Sequence, residues 1–204
     1  MEKTVSATNA THATSSTLGA TLGFWAANIF LFAYNFVLAG GFFFQFALNE
    51  FPCPLCMIQR YFMMLACFGP LYVIINTKRG TITTQKMIRG YGMSLLAALV
   101  GSTASIRQIL LHIKPGDPGY GSAVFGIHTY TWALVSFVVV MVFSAIMMIF
   151  AKELTPKGTE YNAVATINVW LFAILIVANL IAIIALEGFH FLLPSDPTKY
   201  MLFH

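Results

Sequence analysis

Charge is scarce in this chain. Only 9% of its 204 residues are Asp, Glu, Lys or Arg, where a soluble domain carries roughly 25%. Together with 58% hydrophobic residues, that scarcity excludes an ordinary soluble domain and indicates a polytopic membrane protein. Cysteine is scarce as well. Three cysteines are too few for a disulfide-stapled secreted scaffold. Basic patches interleaved with aromatics are absent, so the net charge of +4 does not point to nucleic acid. A signal-peptide cleavage site is also missing after the first apolar run, which is too long for a signal core and reads as a membrane helix. No internal repeat and no soluble domain stand out.

What is present is a set of long apolar runs. A spanning helix needs about 20 mainly apolar residues, and five segments qualify: 22–47, 55–76, 90–113, 127–151 and 164–188. The loop at 77–89 holds Lys78, Arg79, Lys86 and Arg89, and 152–163 holds Lys152 and Lys157. The loop at 48–54 has no Lys or Arg, and 114–126 has only Lys114. The positive-inside rule therefore places 77–89, 152–163 and the N-terminus in the cytoplasm. The loops at 48–54 and 114–126 and the C-terminal tail then face outside, which in a bacterium is the oxidising periplasm. The expected organisation is a disordered cytoplasmic stretch over 1–20, a single transmembrane helical domain over 21–190, and a periplasmic tail over 191–204. The 114–126 loop is dense in turn formers and short enough to lie as a cap over helix ends.

The chemistry concentrates at Cys53-Pro54-Leu55-Cys56. Two cysteines at this spacing close a redox-active disulfide or share a metal ion. A structural zinc site wants four Cys or His ligands, and the outer side offers only this pair with unpaired His128, His190 and His204, so no metal site is expected. Pro54 suits a first helical turn, which puts Cys56 at a helix N-terminus, where free amides and the helix dipole favour a thiolate. Arg60 follows four residues later on the same helix face. An intramembrane cation is costly and usually paired or functional; snorkelling to the interface is the plainer alternative. Arg60 suits either a Cys56 thiolate or a quinone carbonyl. Cys67, about three turns deeper, reads as a buried apolar thiol.

Arg107 and His112 end the third segment at the level of the cysteines, and His128, Tyr130 and Trp132 open the fourth. The aromatic belt alone accounts for Tyr and Trp there, and either histidine suits the interface. Convergence of Arg60, Arg107, His112 and His128 at one depth nevertheless suggests a small-molecule site.

Gln45 followed by Phe51-Pro52-Cys53-Pro54-Leu55-Cys56-Met57-Ile58-Gln59-Arg60 resembles the DsbB family, the quinone-dependent disulfide-bond formation proteins of bacterial inner membranes. Gly119-Tyr120-Gly121-Ser122, His128-Thr129-Tyr130-Thr131-Trp132-Ala133 and the tail from Glu187 to Pro197 resemble a five-helix branch of it, so the resemblance runs over about 22–200. It implies an all-α membrane fold, a four-helix bundle plus one C-terminal helix. It also implies a thiol:quinone oxidoreductase. Cys53 and Cys56 would be its redox pair. Arg60 would lie beside a ubiquinone or menaquinone, and a periplasmic thioredoxin-fold thiol oxidase would be the partner; Arg107, His128 and Gln45 are the further candidate cofactor-binding residues. One departure stands out. The family's second cysteine pair is expected in the tail, where Gly188 and Leu193 stand instead. The alternative is therefore an accessory or structural subunit of a larger inner-membrane complex. A small transporter is weaker, because no segment is broken at its middle as transport sites often need.

Overall fold

The computed structural model describes residues 2–157, 163–188 and 197–203, with side chains from Leu18 onward. Helix α1 spans Glu2–Phe42 and runs on into a π-helical turn, Phe43–Ala47. Helix α2 spans Pro54–Lys78, α3 Thr84–Leu111 and α4 Thr129–Ile149. A short α5, Ala151–Leu154, precedes α6, Ala163–Glu187. Between α3 and α4 lies a two-stranded antiparallel hairpin, β1 Ala123–Val124 and β2 Ile127–His128. A 3-10 turn, Met201–Phe203, ends the described part of the tail.

Five of these helices are long and apolar enough to cross a membrane, and they correspond to the five apolar runs. The first helix extends further back than expected. It is helical from Glu2, through the Ser/Thr/Ala stretch expected to be disordered. Adding residues to a formed helix avoids the nucleation penalty, and alanine favours that extension. Residues 189–196 of the tail, including Leu193 and His190, lie outside the described residues.

The bundle is apolar outside and partly polar inside, as a lipid solvent demands. Ile29, Phe36, Leu96, Val139, Ile167 and Trp170 are exposed, whereas Asn28, Asn35, Ser94, Gln108, Asn168 and Asn179 are buried. Lipid gives no hydrophobic drive for helices to associate, so small residues and interhelical hydrogen bonds hold them. Helices α2 and α3 meet at Gly69 and Gly90. A Cβ on Gly69 would stand 2.3 Å from Gly90 O, so neither backbone admits a larger residue there. Beside this contact, Pro70 lies inside α2 without ending it. Proline has no N–H to donate to Ala66 O; Ser94 Oγ of α3 donates instead, at 2.6 Å.

Helix α6 docks on α1 through asparagines. Asn35 Nδ2 donates to Asn168 Oδ1 at 2.7 Å, and Asn168 Nδ2 donates to Asn28 O at 2.9 Å. These contacts, with Gln59 of α2 meeting Gln108 of α3 and His112 meeting Tyr130 across α3 and α4, fix the order of ends. The end of α1, the start of α2, the end of α3, the start of α4 and the end of α6 gather on one side of the bundle.

Candidate redox site

On that side Cys53 caps α2. Its backbone is extended, and its Sγ accepts a hydrogen bond from Cys56 N at 3.2 Å. Pro54 occupies the first turn, where its missing N–H is no loss. The cap brings the sulfurs together, with Cys53 Sγ 2.7 Å from Cys56 Sγ, both as free cysteines. Cys53 is buried and Cys56 half-buried. The hydrogen bond to Cys56 Sγ, then burial, raises the Cys53 thiol pKa above its ordinary value.

The pair has a partner that the sequence reading missed. Gln108, buried in the last turn of α3, places Nε2 3.4 Å from Cys53 Sγ and 3.4 Å from Cys56 Sγ. Its other end is held by Gln59, whose Nε2 donates to Gln108 Oε1 at 2.7 Å. The same Oε1 lies 3.8 Å from Cys56 Sγ and can accept from its thiol.

Arg60 lies on the same face of α2, one turn below Cys56. Its Nη1 donates to Gln45 Oε1 at 3.0 Å and to Asn179 Oδ1 at 3.3 Å, and Nη2 donates to Gly41 O at 3.3 Å. Its guanidinium lies over the Phe42 ring, 5.5 Å from the centroid. Among the described residues no carboxylate pairs with it. The π-helical turn brings Gln45 inward; such turns insert one extra residue and re-aim the side chains around them. The approach to Gly41 is close: a Cβ there would stand 3.1 Å from Arg60 Nη2, and the guanidinium would have to shift by a few tenths of an ångström.

Cys56, Gln59 and Arg60 open onto one cavity of about 550 Å³ between α1, α2, α4 and the 114–126 loop. Its walls are otherwise largely apolar, with Val37, Phe44, Met63 and Trp132 among them. The loop is tied over it. Glu50 accepts from Ser122 N at 3.1 Å and from Ser122 Oγ, and Tyr120 OH donates to Phe51 O at 2.7 Å. Trp132 Nε1 anchors the hairpin through Val124 O at 3.0 Å. The cap expected from the turn-rich sequence is thus formed.

Two expected members stand apart. Arg107 is exposed on the outer face of α3, beside Thr103, Ile106 and Leu110. Its neighbour Gln108 takes the inward position because successive helical residues point about 100° apart. His128 caps α4 and stacks on Tyr130 at 5.2 Å, with Nδ1 3.3 Å from Gly121 O. It holds the loop and does not line the cavity. His112 stacks on the same Tyr130 and meets Asp117 Oδ1 at 3.0 Å. Gln45 faces Arg60 and likewise does not line the cavity.

Residues 24–123 match the family model for disulfide bond formation protein DsbB. The chain carries a DsbB-family domain. The chain is 35% identical over 81 residues to disulfide bond formation protein B of Burkholderia pseudomallei, which is 39% of this chain and 44% of that one. It is 32% identical over 82 residues to the protein of the same name from Pseudomonas syringae pv. tomato, 40% and 45% of the two chains. The Polaromonas naphthalenivorans protein is 36% identical over 82 residues, 40% and 46%. The match thus spans less than half the length of these relatives. No solved structure matches. The DsbB stretch holds Gln45, Cys53, Cys56, Gln59, Arg60 and Gln108. It ends before the His128–Ala133 block and α6, so it is shorter than the resemblance over 22–200, and Asn179 lies outside it.

Proposed function

We propose that this membrane protein is a thiol:quinone oxidoreductase working through Cys53 and Cys56 alone. The observation that carries the reading is the cavity that Cys56 and Arg60 share. It is large and apolar enough for a quinone ring, and it presents one cation and one reactive sulfur. A bound ubiquinone or menaquinone would supply an acceptor for two electrons and two protons.

The chain's residues supply the rest. Arg60, with no carboxylate partner, offers its charge to a carbonyl oxygen in the cavity. Trp132, Phe44 and the tied-down loop exclude water. In the oxidised pair, a partner thiolate attacks one sulfur of the Cys53–Cys56 disulfide. The partner's second thiol then resolves the mixed disulfide, so the partner is oxidised and Cys53 and Cys56 become thiols. Reoxidation of the pair releases two electrons and two protons to the acceptor. With only Cys67 elsewhere in the sequence, and that buried in the bundle core, no second pair relays the exchange. A periplasmic dithiol protein of thioredoxin fold fits as the donor, with the CxxC side outward as the Lys/Arg distribution predicts.

The protein in lipid nanodiscs, given a reduced thioredoxin-fold dithiol and a soluble quinone analogue, should reduce the quinone. The activity should vanish in Cys53→Ser and in Cys56→Ser. Equal activity in either variant would overturn the reading. No reduction by wild type, with stable co-purification in a larger assembly, would favour an accessory subunit instead. In intact cells an impermeant thiol reagent should label Cys56; labelling only after the membrane is breached would reverse the orientation.

A further inference from the structure

We propose that Asn179, on the fifth spanning helix and outside the DsbB-matching stretch, is a positioning residue for Arg60. The inference builds on the proposed redox site, because it assigns how that site's cation is held.

Asn179 is fully buried. Its Nδ2 donates to Leu175 O, one turn back in α6, at 2.9 Å. That bond fixes the amide orientation and leaves Oδ1 pointing at Arg60 Nη1, 3.3 Å away. Gln45 Oε1 accepts from the same Nη1 at 3.0 Å, so two neutral amides from different helices grip one nitrogen. Gly41 O takes Nη2, and Phe42 lies against the guanidinium face. Every partner is uncharged. A carboxylate at 179 would orient the guanidinium equally well but would neutralise it. An amide orients it and leaves the full positive charge for the cavity and for Cys56. Long arginine side chains lose considerable rotamer entropy when fixed, so an acceptor from a docked helix decides whether the guanidinium faces the cavity or wanders. Helix α6 is itself registered on α1 by Asn168 with Asn28 and Asn35, which sets the height of Asn179. The fifth helix is therefore part of the site and more than added bulk.

The test is a double-mutant cycle of Asn179→Leu and Arg60→Leu in nanodiscs, with two readouts. The first is the rate at which reduced Cys56 is alkylated at neutral pH, mapped by mass spectrometry, which needs no quinone. The second is the apparent KM for a quinone analogue. A hydrogen bond to a charged group is worth about tenfold or more in such ratios. Asn179→Leu should slow alkylation and raise KM by about tenfold, and it should add nothing in the Arg60→Leu background. Effects that add independently in that background, or an Asn179→Leu protein that alkylates like wild type, would overturn the proposal. Should Arg60→Leu fail to fold, Arg60→Lys serves, because a point ammonium cannot reproduce the planar fork. Coupled alkylation effects across the variants, with a wild-type protein that reduces no quinone, would refute the redox reading while upholding the role of Asn179.

Discussion

Gln108 Nε2 is equidistant from the two sulfurs of the redox pair, 3.4 Å from Cys53 Sγ and 3.4 Å from Cys56 Sγ. One neutral donor thus serves both atoms between which the proposed disulfide would form and break. In the proposed exchange, whichever sulfur carried negative charge would find the same amide group beside it, with Gln59 holding the other end of that amide.

Replacing that donor should slow the chemistry without unfolding the bundle. Gln108→Leu keeps the volume and the helix but removes a hydrogen bond to a charged sulfur, worth about 1.5–3 kcal/mol. Turnover per folded molecule should fall by about 10–100-fold, and the melting temperature should drop as well, because buried Gln59 Nε2 loses its acceptor, at a cost of about 1–3 kcal/mol. A variant with unchanged turnover would show that the donor is idle. Arg107→Leu, on the outer face of α3, should leave the same rate within about twofold, since surface changes are usually within 0.5 kcal/mol.

The contact of Ser94 with Ala66 makes a stability prediction independent of the redox site. Ser94→Ala leaves Ala66 O without a donor inside the membrane, an orphan costing about 1–3 kcal/mol. Pro70→Ala would restore an N–H within α2, so the Ser94→Ala penalty should shrink in that background. Unfolding of the four proteins in detergent measures it; equal penalties in both backgrounds would show that Ser94 acts by packing alone.

Helix α6 should loosen when its asparagine contact is removed. Asn168→Leu deletes bonds to Asn28 O and to Asn35, and interhelical hydrogen bonds in membranes are worth about 0.6–2 kcal/mol. Hydrogen exchange in α6 should rise while α2 and α3 stay protected. A uniform rise across all helices would mean that α6 does not open by itself.

The loop over the cavity should respond to acid. Asp117 accepts from Gly119 N at 2.8 Å and faces His112 Nδ1 at 3.0 Å. The Gly119 amide first, and His112 after it, hold its carboxyl below the usual 3.8. A depressed carboxylate stabilises its folded contact fully above the unfolded value and loses that contribution as pH falls through the folded one. Amide protection at Gly119 should therefore be flat from neutral pH down to the ordinary carboxylate range and fall only below it. Loss at mildly acidic pH would show that another group controls the loop. Asp117→Asn should remove the acid dependence.

Much of the architecture was legible in the chain because lipid is an unforgiving solvent. Backbone groups in hydrocarbon must be satisfied internally, so each long apolar run has to be a helix. Likewise Cys53, Cys56 and Arg60 lie on one face because their spacing is a local property of a helix. Gln108 was missed in favour of Arg107, although a signal existed. Gly90, Ser94, Ala98, Gly101, Ser105 and Gln108 form a stripe of small and polar residues, and all six are buried in α3. Such a stripe marks the face that packs on other helices, and Arg107 is off it. Asn179 had no comparable local signal pointing to Arg60, which lies 119 residues away.

The sequence alone thus determined the five spanning helices, the redox-capable pair and its local cation, since each follows from composition or from contacts within one turn. Tertiary structure decided which amides meet the sulfurs, which hold Arg60, and that His128 and Arg107 do neither. Those choices depend on how each helix is rotated and how high it sits against its neighbours. That is set by close contacts such as Gly69 on Gly90 and Asn168 on Asn35, between residues far apart in the chain.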